Sequence, residues 1–224
     1  MTGLPRPLRW ERILDVLARL AGVAWFGFLA WVAITIRMIP LLRENLEDPE
    51  TLRQVVSILA DLAFLALLVV LFLVRRTASR KQPGFLPRLV AFLGAFGLTF
   101  LGLMPSSSGA ALVWTAAGLE VAGHVLMLAS LLWLGRSFSI FPEARRLVTT
   151  GPYAIVRHPL YLAEGLAAIG LVLNHLSWIA VVVAVAQLAL QITRMGWEEQ
   201  VLTGAFPEYA AYRSRVKRFL PGIW

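Results

Sequence analysis

Long apolar runs alternate with short polar breaks along most of this chain. Six runs reach or approach the roughly 20 apolar residues that a helix needs to cross a bilayer. They cover residues 13–36, 54–74, 87–104, 111–134, 159–173 and 177–197. Proline, glycine and charged residues separate the runs, for example the Pro- and Ser-rich break at 105–109. The pattern predicts an all-α, polytopic membrane helix bundle with five to six hydrophobic helices.

The last two runs are predicted to form a C-terminal helical hairpin with its turn at Asn174-His175. The fifth run has fifteen residues, which rise only about 22 Å at 1.5 Å per residue. We therefore do not expect this arm to span the bilayer fully. Beyond the hairpin, apolar and basic residues alternate at helical spacing from Tyr209 to Phe219. This amphipathic tail is interpreted either as an anchor on the membrane surface or as a lid over a site.

The composition supports a membrane protein and excludes cysteine chemistry. Of the 224 residues, 58% are hydrophobic and only 15% are charged, whereas a soluble domain averages about 25% charged residues. The mean hydropathy is +0.73. Because the chain contains no cysteine, disulfides, thiolate metal sites and cysteine nucleophiles are excluded.

The basic residues indicate the orientation of the helices. The net charge is +8, and most of the 21 Lys and Arg lie in segments that share one side of the membrane with the N-terminus. The opposite loops are assigned Arg37, Arg43 and Arg53, together with the acidic stretch 44–50. By the positive-inside rule, both termini are predicted to be cytoplasmic. Basic residues at helix ends contact anionic membrane lipids, so no nucleic-acid partner is expected.

Charged residues converge at the predicted open end of the hairpin. In an antiparallel hairpin, the residue entering the first arm lies beside the residue leaving the second. Arg157 and His158 are therefore expected beside Arg194, Glu198 and Glu199 at the cytoplasmic face. Taken singly, each residue is equally typical of a headgroup anchor or of a solvated helix end. Their convergence favours a binding site.

The residue types at this end suit a zwitterionic nucleoside. Pro159 is typical of the first position of a helix, and the free amides there form an anion site together with Arg157 and His158. The neighbouring carboxylates can accept hydrogen bonds from a diol or an ammonium group. Tyr153 and Tyr161 offer ring faces to a base or a sulfonium, although they are also typical of an interfacial aromatic belt. S-adenosylmethionine carries all of these groups.

Three ionisable residues fall inside the apolar runs. Asp61, Glu120 and His124 are costly in a bilayer unless they are paired. Glu120 and His124 share a helix face, and Asp61 lies at a comparable depth. We expect an interhelical hydrogen bond that holds the first four segments together, with a polar substrate pocket or a proton path as the alternative. This set of side chains is weak support for a metal site, and no metal is predicted.

Two stretches, 134–161 and 194–221, resemble the isoprenylcysteine carboxyl methyltransferase family. The likeness rests on the motifs Gly151-Pro152-Tyr153, Arg157-His158-Pro159-Leu160-Tyr161 and Glu198-Glu199. The wider superfamily includes phospholipid N-methyltransferases and, more distantly, membrane sterol reductases. The resemblance implies a helical membrane enzyme that binds S-adenosylmethionine at the cytoplasmic face. The chain length predicts one domain, 1–224, in which a four-helix part (1–134) precedes the cofactor-binding methyltransferase part (135–224) that the resemblance implies.

The resemblance also implies roles for single residues. By motif match, cofactor-binding roles fall to Tyr153, Arg157, His158, Pro159, Tyr161, Glu198 and Glu199. Catalytic roles are assigned to Arg194, as the candidate nearest the reacting groups, and to Glu198. Glu164 stands where many relatives carry a small residue.

The expected acceptor is a lipophilic small molecule or a lipid-linked group, with a carboxylate favoured because it needs no base. Two alternatives remain open at this point. One is an NADPH-dependent membrane reductase from the related branch of the superfamily. The other is a non-catalytic transporter or scaffold that uses Asp61, Glu120 and His124.

Overall fold

The computed structural model describes residues 9–98, 101 and 109–224. The helices are α1 (Arg9–Val32), α2 (Ile39–Leu41), α3 (Pro49–Val74), α4 (Leu86–Phe96), α5 (Ala110–Leu134), α6 (Pro159–His175), α7 (Trp178–Ala205) and α8 (Tyr209–Arg215). A π-helical turn, Ala33–Met38, continues α1 into α2. Two short antiparallel strands, β1 (Arg80–Lys81) and β2 (Glu143–Ala144), complete the elements. The predicted all-α helical bundle is confirmed.

Within the described ranges, four helical spans are long and apolar enough to cross a membrane. They are Asp15–Leu41, Pro49–Val74, Leu112–Ser137 and Trp178–Ala205. Helix α4 has 11 residues and α6 has 17, and 17 residues rise about 26 Å. The chain is an integral membrane protein. Residues 1–8 lie outside the described part of the chain. The same holds for 99–100 and 102–108, which belong to the predicted third run and the break after it.

Local signals in the sequence explain where the later helices begin and end. The Asp48 carboxylate caps α3 by accepting a hydrogen bond from the Thr51 amide. Ser177 caps α7 in the same way, and Pro159 occupies the first turn of α6. The α6–α7 turn therefore lies at Leu176-Ser177, just after the predicted position. Helix α7 continues to Ala205, eight residues beyond the predicted end of the sixth run.

Small residues decide how α6 packs. A Cβ added to Gly123 of α5 would lie 2.7 Å from the Ala167 backbone nitrogen, and one added to Gly170 of α6 would lie 2.6 Å from the Ala116 carbonyl oxygen. Such positions let two helix backbones approach closely within a membrane. Helix α6 consequently packs mainly on α5, whereas α7 packs mainly on α4. The two arms of the hairpin contact each other sparsely and leave an apolar groove between them.

Two of the three intramembrane ionisable residues, Asp61 and His124, pair through their side chains. His124 Nε2 lies 3.0 Å from Asp61 Oδ1, and Arg37 Nη1 lies 2.9 Å from Asp61 Oδ2. His124 Nδ1 also lies 2.8 Å from the carbonyl oxygen of Glu120. The contact expected between the second and fourth segments is present. Arg37, which the charge pattern assigned to a loop, lies instead within the π-helical turn.

Candidate cofactor and acceptor site

One carboxylate oxygen ties three segments together at the open end of the hairpin. Glu199 Oε1 accepts hydrogen bonds from Arg157 Nε at 3.1 Å and from Arg218 Nε at 3.1 Å. His158 Nε2 lies 3.2 Å from the same oxygen. Glu199 is only 5% exposed. The structure therefore places 157–158 beside the end of α7, as the hairpin argument predicted, and Glu199 acts as the shared counter-ion of Arg157 and Arg218.

The adjacent carboxylate faces a different way. The Tyr161 hydroxyl donates a hydrogen bond to Glu198 Oε1, and His158 Nδ1 lies 3.8 Å from Glu198 Oε2. The imidazole of His158 stacks on the Tyr161 ring with centroids 5.5 Å apart. Consecutive residues on a helix project about 100° apart. Glu198 therefore lines a cavity while Glu199 is held by the surrounding cations.

Arg194 lies at the inner side of the same cavity. Its guanidinium lies over the Tyr161 ring at 4.8 Å from the centroid. Nη1 donates to Gln191 Oε1 at 2.8 Å, and Nη2 donates to the Ile140 carbonyl at 3.2 Å. Among the described residues its Nε has no hydrogen-bond partner. A Cβ on Gly94 would lie 2.8 Å from Arg194 Cδ, so this glycine of α4 makes room for the arginine.

A pair of buried glutamines supports Arg194, and the sequence reasoning missed both. Gln187 and Gln191 donate to the Gly94 carbonyl, and Gln191 also bonds to the Glu164 carboxylate. These contacts link α4, α6 and α7 behind the cavity. The signal was available, because Gln187, Gln191 and Arg194 recur at i, i+4 and i+7 in an apolar run and so share one helix face.

The C-terminal tail closes over the motif residues. The Arg157 amide donates to the Lys217 carbonyl at 2.8 Å, and the His158 amide donates to the Arg218 carbonyl at 3.1 Å. The Tyr212 hydroxyl donates to the Tyr153 carbonyl at 2.6 Å. Burial raises the pKa of Tyr212 to about 12, so this phenol keeps its donor proton at neutral pH. These contacts favour the lid interpretation of the tail over the surface anchor.

The cavity brings together most of the predicted site. Of the predicted residues, its lining includes Tyr153, Arg157, His158, Tyr161, Arg194 and Glu198. Pro159 and Glu199 lie outside the lining and adjoin it through their neighbours. Arg145 and Tyr209 were not predicted and also line the cavity. Within the described part of the chain, Tyr209 Oη is buried without a hydrogen-bond partner. Buried polar groups are normally satisfied, which indicates a polar ligand here.

The apolar groove between α6 and α7 meets this cavity at Tyr161 and Glu164. Its other walls are mostly aliphatic, and Phe219 and Leu220 of the tail lie at one end. Val185, which is 62% exposed, belongs to the lining and faces the surroundings of the helix bundle. The cavity that holds the charged cluster and the apolar groove therefore share one boundary.

Residues 106–209 match the model of a known family, phospholipid methyltransferase. This range is similar to that family and covers slightly less than half of the chain. It contains the Gly151–Tyr161 motif and the Glu198-Glu199 pair, and it agrees with the family resemblance inferred from the sequence. The match favours a membrane methyltransferase in general. The roles of its individual site residues remain predictions.

Two named relatives are similar to parts of the chain. The cobalt-zinc-cadmium resistance protein CzcN of Cupriavidus metallidurans is 37% identical over 78 residues, which cover 34% of this chain and 36% of that protein. The nickel-cobalt-cadmium resistance protein NccN of Alcaligenes xylosoxydans xylosoxydans is 29% identical over 115 residues, covering 49% and 53%. The chain thus spans about a third to a half of the length of the relatives it matches.

Proposed function

We propose that this protein transfers a methyl group from S-adenosylmethionine to a lipophilic small molecule or a lipid-linked group, most readily to a carboxylate. The observation that carries this proposal is the meeting of two cavities. A cavity whose lining includes the polar side chains of His158, Arg194 and Glu198 adjoins an apolar groove at Tyr161 and Glu164. A polar cofactor and a lipophilic acceptor need such a pair of adjoining spaces.

The donor set fits the cofactor. Glu198 is placed to accept hydrogen bonds from an ammonium group or from ribose hydroxyls. The stacked rings of His158 and Tyr161 offer faces to a sulfonium. Arg157 and the start of α6 at Pro159 attract a carboxylate. Glu199 supports the site indirectly, because it pairs with Arg157 and holds His158 in position.

The cofactor supplies a methyl group that its sulfonium already activates, so the protein has to align the acceptor and exclude water. Arg194 is suited to hold an acceptor carboxylate, since guanidinium and carboxylate pair through charge-assisted hydrogen bonds. Gln191 positions Arg194 for this role. An ionised carboxylate needs no base, whereas an amine acceptor would lose its proton to Glu198.

The groove between α6 and α7 supports lateral entry of the acceptor from the membrane. The aliphatic side chains that line it allow an apolar tail to stay in the bilayer while its reactive head reaches Tyr161. The cofactor enters from the other side, beneath the C-terminal tail. Because most Lys and Arg lie at this face, we place the cofactor entrance in the cytoplasm.

The test combines purified protein, methyl-labelled S-adenosylmethionine and a lipid extract of host membranes. We expect label in a lipophilic product that has gained the mass of one methylene group. Glu198→Gln should slow the transfer at limiting cofactor concentration, and the matched control Glu208→Gln, at an exposed position, should retain the wild-type rate. Stabilisation of the protein against heat by NADPH and not by S-adenosylmethionine would overturn the proposal in favour of a reductase.

A further inference from the structure

Arginines make up most of the lining of a second cavity. It lies where the ends of α3 and α5 meet α1 and the segment after β2. Its basic residues are Arg19, Arg75, Arg76, Arg136 and Arg145. Leu73, Val74 and Thr77 complete the lining. We call it the arginine cavity.

The neighbouring carboxylates do not balance these charges. Asp15 pairs with Arg19 at 2.8 Å and with Arg75 at 3.5 Å. Glu143 pairs with Arg145 at 2.5 Å. Among the described residues, these two carboxylates form ion pairs with three of the five guanidinium groups, and Glu143 is also shared with Lys81 at 3.8 Å. Five positive charges against two negative charges leave a surplus of three.

Two of the arginines are buried with unused donors. Arg75 is 4% exposed and Arg145 is 8% exposed. Within the described ranges, Arg75 Nε and both Nε and Nη1 of Arg145 have no hydrogen-bond partner. Burial, followed by the nearby charge of Arg145, lowers the pKa of Arg75. Buried charges without partners are costly, so these donors suit an anion with several acceptor oxygens.

The other arginines are held in place at the open side. Arg19 Nη1 donates to the Leu73 carbonyl at 3.0 Å, and Arg136 Nε donates to the Val74 carbonyl at 2.9 Å. Arg76 is exposed next to them. Backbone contacts thus fix two guanidinium groups at the membrane interface before any ligand binds. Planar guanidinium groups match the oxygens of phosphate in a bidentate manner.

We propose that the arginine cavity binds a phosphate group, supplied by the headgroup of an anionic phospholipid. Its position at the ends of membrane-spanning α3 and α5 is the depth at which lipid phosphates lie. Arg145 lines this cavity and the candidate cofactor cavity as well. A phosphate bound here therefore also holds the segment after β2 against the candidate site. The binding itself does not depend on the proposed methyl transfer.

The experiment measures the thermal unfolding of the purified, full-length protein in detergent micelles. The added probes are phosphatidylglycerol, phosphatidylcholine or inorganic phosphate at equal ionic strength. We expect phosphatidylglycerol to raise the melting temperature and phosphatidylcholine to leave it nearly unchanged. An equal rise of the melting temperature with inorganic phosphate would support a phosphate site, but its ligand would then be the free ion and not a lipid headgroup. No rise with either anionic probe would overturn the proposal.

A pair of variants tests the location. Arg76→Gln removes one exposed guanidinium of the cavity, and we expect it to weaken phosphatidylglycerol binding about tenfold, because a charge-assisted hydrogen bond is lost. Arg88→Gln makes the same change at an exposed position outside the lining and should have little effect. Equal weakening by both variants would show general attraction to a basic surface and would refute the site. The comparison of phosphatidylglycerol binding between the two variants does not depend on methyl transfer, so it tests the site even if no methyl acceptor is found.

Discussion

Replacing Glu199 by glutamine isolates the contribution of one buried charge. The substitution keeps the size of the side chain and removes the charge shared by Arg157, His158 and Arg218. All three have a nitrogen 3.1–3.2 Å from Glu199 Oε1, and the Glu199 side chain is 7% exposed. Removing one partner from a buried ion pair costs about 3–5 kcal/mol, because the remaining charge stays buried without compensation. Arg218 is 20% exposed, so we expect the lower end of this range, about 3 kcal/mol.

The measurement is chemical unfolding of both proteins in mixed micelles, followed by circular dichroism. Glu208→Gln is the matched control, since it removes one charge from an exposed glutamate and should change the free energy of unfolding by less than about 0.5 kcal/mol. A loss below about 1 kcal/mol for Glu199→Gln would refute the role of Glu199 as the shared counter-ion.

Three further substitutions separate binding, catalysis and packing. Glu198→Gln should lower the affinity for S-adenosylmethionine about tenfold in equilibrium dialysis, and unchanged affinity would remove Glu198 from the cofactor site. Gly94→Ala places a Cβ 2.8 Å from Arg194 Cδ, so methyl transfer should slow while the cofactor still binds. Full methyltransferase activity of this variant would contradict the placement of Arg194. Gly170→Ala forces a Cβ to 2.6 Å from the Ala116 carbonyl and should cost about 1–3 kcal/mol of unfolding free energy, whereas a neutral result would contradict the tight α5–α6 packing.

Chain connectivity explains why the open end of the hairpin was predictable. A short turn between two helices forces them antiparallel, so residues before α6 and near the end of α7 must meet. Arg157 and Glu199 follow this rule at 3.1 Å. The pairing of Asp61 with His124 was also predictable, because an ionisable residue within a bilayer needs a partner and the two lie at similar depth.

The packing partners of α6 and α7 were not predictable in the same way. An apolar run indicates that a helix lies in the membrane, but it does not indicate which other helix it packs against. The close approaches at Gly123 and Gly170 bring α6 to α5 and separate it from α7. The groove between the two arms depends on this choice.

The sequence also did not predict which side of α7 faces the cavity. The sequence places Glu198 and Glu199 together, whereas the structure turns one toward the cavity and the other toward the cations. The arginine cavity was missed because Arg75 and Arg145 are distant in the chain. Only the fold brings their unpartnered guanidinium groups to one cavity.

Calorimetric titration of the purified protein with S-adenosylmethionine tests the central claim most directly. The account predicts saturable binding to the wild-type protein, weakened binding to Glu198→Gln and unchanged binding to Glu208→Gln. Absence of binding to the folded wild-type protein, or equal binding to both variants, would contradict a cofactor site at the open end of the hairpin.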